Sequence, residues 1–144
     1  MDAKVLVDTS VWITFFRKKE TELTERIATL LKSGRAVYTG IVALELINGA
    51  KGQHELQTLY NAFDIMQCIA VNENTYLHAG KLGYALARKG HTLSTVDLLI
   101  AQSAIENSLS LMTYDEHFSV IAKHSQLALF RIHDTSRPMS RGGK

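Results

Sequence analysis

The chain has 144 residues, 46% of them hydrophobic, enough for one domain around one core. Its net charge of +2 is unevenly spread: residues 131–144 carry Arg131, Arg137, Arg141 and Lys144 against Asp134, leaving 12 basic and 13 acidic side chains in the other 130 residues. A near-neutral body lacks the strong basic footprint of a dedicated nucleic-acid binder, and the single cysteine, Cys68, excludes a disulfide framework and a cysteine-rich zinc site.

Val5, Leu6 and Val7 run continuously apolar up to Asp8, which predicts a buried strand over 4–8. Ser10 opens a short helix on which Trp12, Phe15 and Phe16, at i, i+3 and i+4, form one apolar stripe. A second helix is predicted over 20–32, with Leu23, Ile27, Leu30 and Leu31 on one face and Gly34 as its stop, followed by a brief strand over 36–39. From 41 to 50 apolar residues surround the helix instead of lining one side, the pattern of a buried helix with Glu45 inside it.

Further helices are predicted over 55–66 and 73–88, separated by a short apolar run in which Cys68 reads as a small buried residue. Ser94 then precedes a helix over 98–106, and 109–112 is a short strand. A helix over 115–123 and a last strand over 127–132 complete the order. Strands separated by helices imply an α/β class with a central parallel sheet. The expected organisation is one domain over 1–133 and a basic, disordered tail over 134–144, which holds the only proline and Gly142-Gly143. No stretch of eighteen apolar residues and no basic-then-apolar leader is present, so no membrane segment and a cytosolic location are expected.

Four acids stand in or beside apolar runs: Asp8, Glu45, Asp97 and Asp115, separated by 37, 52 and 18 residues. An isolated buried carboxylate is costly, so such groups are paired, neutralised or bound to a cation, and four together suggest a cation site. Asp8 would end the first strand and Asp115 would follow the fourth, at the sheet edge where parallel α/β folds bind ligands. Each acid also has a local explanation. Asp8 suits an N-cap; Ser94-x-x-Asp97 has the spacing of a capping box; Thr113-x-x-Glu116 is a better one, which frees Asp115. Glu45 alone has no cap role and no neutralising neighbour one turn away.

Competing chemistries lack their parts. The six histidines form no H-x-x-x-H or H-E-x-x-H pair, and neither G-x-S-x-G nor a glycine-rich phosphate loop is present. Asp8-Thr9-Ser10 also departs from the Asp-x-Asp pattern of many aspartyl-phosphate enzymes.

Val5-Leu6-Val7-Asp8-Thr9-Ser10-Val11, Leu44-Glu45-Leu46, Val96-Asp97-Leu98-Leu99-Ile100-Ala101 and Thr113-Tyr114-Asp115-Glu116-His117-Phe118, in this order, resemble the PIN-domain family of metal-dependent ribonucleases, specifically single-domain VapC-type toxins. The resemblance implies a three-layer α/β/α domain whose pocket holds Mg²⁺ or Mn²⁺. In it Asp8, Asp97 and Asp115 are the expected ligands, and Glu45 orients or deprotonates the attacking water. Ser10 and Thr113 match supporting hydroxyl positions, Glu116 is a possible further supporting acid, and Val96 stands where relatives often have proline. It also implies an RNA substrate, a small antitoxin and a homodimer. Arg17, Lys18 and Lys51 are candidates to attract phosphates, and the stripe at Trp12, Phe15 and Phe16 to receive the antitoxin. A PIN-like binding module without a working site and an aspartyl-phosphate phosphatase are the competing readings.

Overall fold

The computed structural model describes residues 3–133; the tail expected over 134–144 lies outside the described residues. The chain begins with β1 (Val5–Val7), α1 (Thr9–Lys18), α2 (Thr21–Lys32), β2 (Ala36–Thr39), α3 (Gly40–Asn48) and α4 (Gln53–Ile65). There follow β3 (Gln67–Ile69), α5 (Glu73–Arg88), α6 (Thr95–Glu106), β4 (Ser110–Met112), α7 (His117–Lys123) and β5 (Ala128–Leu129). The five strands form one parallel sheet in the order β3-β2-β1-β4-β5, flanked by helices.

The continuous apolar run of β1 follows from its central position. Val5, Leu6 and Val7 are all fully buried, and the strand pairs with β2 on one side and β4 on the other. Helix α2 buries Leu23, Ile27 and Leu30 and ends at Gly34, whose φ of 74° lets the chain turn into β2. Helices α5 and α6 pack as an antiparallel pair, with Thr75 bonded to Glu106 at one end and a close approach at Gly83 towards the other, where a Cβ would stand 2.5 Å from Leu98 Cδ1. Leu98 follows Asp97, so this close approach helps to fix the helix that carries the third acid.

Three expectations are corrected. Helix α3 is not enclosed: only Val42 and Leu46 are buried, while Leu44 is 61% exposed and Glu45 is exposed. Its surplus of apolar residues leaves one face uncovered. Trp12 is not an available surface anchor, being 1% exposed and packed edge-on to Phe15 and stacked on Phe16. Cys68 is exposed because β3 is an edge strand with little covering its Gln67 and Cys68 side chains.

Candidate active site

Asp8 follows β1 directly and Asp115 lies three residues beyond β4. These neighbouring strands flank the point where the strand order reverses, so both acids stand at the carboxyl edge beside it. The backbone joins the two edges, since Asp8 N–H donates to Met112 C=O at 2.9 Å. Although Asp8 occupies the N-cap position of α1, its side chain caps nothing. Its Oδ2 instead accepts from Ser10 Oγ and Thr113 Oγ1, each at 2.8 Å. Ser10 Oγ accepts in turn from Tyr114 N–H at 3.0 Å, and Thr113 Oγ1 from Asp115 N–H at 2.9 Å. Asp8, itself buried, is therefore oriented by two hydroxyls that are themselves held.

Asp97 lies in the first turn of α6. Ser94 Oγ accepts from Asp97 N–H at 3.1 Å, so half of the expected capping box forms through the backbone, leaving the carboxylate to face the other acids. Burial pushes the Asp97 carboxyl above its usual range, and the charges of Asp115 and Asp8 push it the same way. Hydrogen bonds with His117 and Ser94 oppose the rise.

The expected capping box at Thr113 and Glu116 does not form. Thr113 is drawn to Asp8, and Glu116 takes the N-cap position of α7 without a side-chain cap bond. Asp115 does the local work, its Oδ1 accepting from His117 N–H at 2.9 Å. That bond turns the His117 ring toward the acids, with Nδ1 3.3 Å from Asp97 Oδ2 and 3.4 Å from Asp115 Oδ1. His117 joins the acids without any histidine spacing motif; its only local signal is its place two residues after Asp115.

Glu45 borders this group from α3, where its Oε1 accepts from Thr9 Oγ1 at 2.9 Å beside Asp8. Glu116 is exposed and is not drawn in. The expected basic residues are also displaced: Arg17 sits at the far end of α1, roughly 13 Å from Asp8 at the helical rise, and pairs with Glu55 at 3.4 Å. Lys51 donates its backbone N–H to the same Glu55 carboxylate.

One ligand atom each from Asp97, Asp115 and His117 lie within 4.8 Å of one another, and Asp8 accepts on Oδ2 only among the described residues. A donor set dominated by carboxylates fits an oxygen-seeking divalent cation such as Mg²⁺ or Mn²⁺.

A parallel α/β domain that gathers aspartates at its topological switch point defines a class of acid-centred domains, and the PIN domain model matches residues 5–124. The chain belongs to the PIN domain family. It is similar to Ribonuclease VapC1 of Haemophilus influenzae, 28% identical over 114 residues that cover 76% of this chain and 85% of the relative. It is also similar to Ribonuclease VapC11 of Mycobacterium tuberculosis, 29% identical over 133 residues, covering 88% of this chain and 99% of the relative. Among solved structures, DNA-bound VapBC from Salmonella typhimurium matches with a TM-score of 0.77 at 22% identity, covering 92% of this chain and all of the matched one. VapBC-1 from nontypeable Haemophilus influenzae matches at 0.72 and 24% identity, covering 89% and 97%. These structural likenesses establish a shared fold.

Proposed function

We propose that this protein is a Mg²⁺- or Mn²⁺-dependent endoribonuclease, the toxin of a toxin–antitoxin pair acting in the cytosol. The observation that carries the reading is the convergence of Asp8, Asp97 and Asp115 at the carboxyl edge, close enough for two of them to raise the proton affinity of the third. The names of the relatives support RNA as substrate, and the VapBC neighbours support an antitoxin partner.

In this proposal Asp8, Asp97 and Asp115 hold the cation. A divalent cation held there supplies Lewis-acid chemistry, lowering the pKa of a water and offsetting charge on the phosphodiester. Ser10 and Thr113 fix the Asp8 carboxylate so that it keeps one orientation. Thr9 occupies Oε1 of Glu45, leaving Oε2 to take the proton of the attacking water as its oxygen bonds to phosphorus and the bond from phosphorus to O3′ breaks. His117 tethers Asp97 to Asp115. A single-stranded or looped RNA site presents its backbone to such an open edge most readily.

A homodimer is supported by the uncovered apolar surface next to the acids, where Leu44 and Tyr76 are exposed beside Ile41, Val96 and Leu99. The antitoxin is expected on the Phe15 side of α1, where a surface cavity is lined by Phe15, Lys19, Thr21, Thr24 and Glu25. Sedimentation velocity tests the first assignment, and co-purification of a Phe15→Ala variant with the antitoxin tests the second.

The central experiment is cleavage of mixed RNA by purified protein with Mg²⁺ or Mn²⁺, with EDTA, and by Asp8→Asn and Asp97→Asn. EDTA and either substitution should abolish cleavage while the fold survives. If Asp8→Asn cleaves as fast as wild type at saturating metal, the proposed site is wrong.

A further inference from the structure

The turn after α5 and the end of α7 bring four cationic or protonatable side chains together: Lys89, His91, Lys123 and His124. The His91 and His124 rings lie 5.2 Å apart, inclined by 33°. Partial desolvation, followed by the charges of Lys89, His91 and Lys123, lowers the proton affinity of His124.

Lysines and histidines at helix C-termini complement the helix dipole, which accounts for each of these residues singly. It does not account for two helix ends sharing one uncompensated patch, because like charges at close range repel. Arg17, His78 and His133 meet acids, whereas the charges that act on His124 are all of its own sign, from Lys89, His91 and Lys123. Among the described residues none of the four has a carboxylate partner.

Two short routes link the patch to the acids. Helix α7 begins at His117, whose ring meets Asp97 and Asp115, and its seven residues span roughly 10 Å before His124. From His91 the chain reaches Ser94, which caps the helix bearing Asp97, in three residues.

We propose that Lys89, His91, Lys123 and His124 bind the phosphate backbone of the RNA next to the scissile phosphodiester, so that the strand runs from the acids along α7. The inference rests on the ribonuclease reading and adds a substrate-binding surface to it. A carboxylate pocket repels a polyanion, and a neighbouring patch of opposite sign supplies the attraction that positions the strand. An acidic segment of a protein partner is the competing occupant. RNA is favoured because the patch lies within a short span of the acids, where a substrate strand must pass.

The test compares full-length wild type with the double variants Lys89→Ala/Lys123→Ala and Lys89→Gln/Lys123→Gln, using an RNA pool and bis(p-nitrophenyl) phosphate as substrates with Mn²⁺. Both variants should raise KM for RNA about tenfold and reduce the slope of log KM against log salt by about 0.7 per lysine removed. Their turnover of bis(p-nitrophenyl) phosphate should match wild type. Unchanged KM and salt slope would overturn the assignment, as would an equal loss on both substrates. Unchanged RNA kinetics with weakened antitoxin binding would also overturn it and give the patch to the protein partner. Absence of RNA cleavage by wild type sinks the ribonuclease reading and this surface with it, whereas normal wild-type cleavage with unaffected variants sinks this surface alone.

Discussion

Thr113 Oγ1 donates a 2.8 Å hydrogen bond to Asp8 Oδ2, joining residues 105 apart in sequence across the two central strands. The same hydroxyl accepts from Asp115 N–H, so one atom sets the positions of two acids. Thr113→Val keeps the shape and deletes the hydroxyl. It should cost about 1–2 kcal/mol in urea denaturation and weaken Mg²⁺ binding about 10-fold by calorimetric titration. A variant that binds Mg²⁺ as tightly as wild type would show that this bond does not organise the site.

Asp97 supplies a test of sign. Its carboxyl titrates above the usual range, first through burial and then through Asp115, so the folded state binds this proton more tightly than the unfolded chain. The associated stability is present at low pH and is lost as pH rises through the raised value. Near neutrality in EDTA, Asp97→Asn and Asp97→Ala should therefore be at least as stable as wild type. The Ser94 cap survives in both because it uses the backbone N–H. Mg²⁺ should stabilise wild type by RT ln(1 + [L]/Kd) and the variants by less. A loss in Asp97→Ala that ignores metal, with no Mg²⁺ stabilisation of wild type, would remove Asp97 from the site.

At the other end of α6 the sign reverses. Glu106 accepts from Thr75 Oγ1 at 2.7 Å and Gln102 Nε2 at 3.1 Å, and its Oε2 lies 2.6 Å from His78 Nδ1. The His78 contact, followed by the Thr75 bond, holds its carboxyl below the usual range. This contribution is present above the ordinary glutamate value and lost as pH falls through the lowered one. Urea midpoints of wild type and Glu106→Gln should differ at pH 7 and converge as the pH falls through the lowered value. A gap of constant size would mean that the ionised form has no special role in joining α5 to α6.

Trp12 is a core residue, and Trp12→Ala should cost about 3–5 kcal/mol in urea denaturation. Its Nε1 has no hydrogen-bond partner among the described residues, so Trp12→Phe gives up a buried N–H that gains nothing. The smaller ring still leaves some space, and the net change should stay within about 1 kcal/mol. A loss in Trp12→Phe comparable to that in Trp12→Ala would point to a partner for the indole N–H.

The parts legible in the sequence were those with local causes. Val5, Leu6 and Val7 announce a central strand because both of its faces are covered. Asp8, Asp97 and Asp115 stand out because carboxylates beside apolar runs require a reason, and Ser94 marks the start of α6 through its hydroxyl. Tertiary competition hid the rest. Thr113 looked like half of a capping box with Glu116, but a buried carboxylate from the neighbouring strand claims its hydroxyl. His117 reaches Asp97 through the fold rather than through any helical spacing. The apolar residues around Glu45 resembled burial; periodicity cannot distinguish a helix enclosed on all sides from one with an uncovered apolar face.

The sheet order has a consequence for the timing of synthesis. Strand β1 emerges first but is flanked by β4, which follows it by about a hundred residues. A nascent chain lacking residues 110–115 has neither the Thr113 hydroxyl nor the Asp115 carboxylate, and one side of β1 remains an open edge. Such a chain cannot assemble the aspartate cluster, however well its earlier helices have formed. In the proposed nuclease, hydrolytic capacity would thus arise abruptly, only once residues 110–115 have left the ribosome. This leaves an interval in which a partner could meet the exposed α1 surface before the chain becomes able to cut RNA.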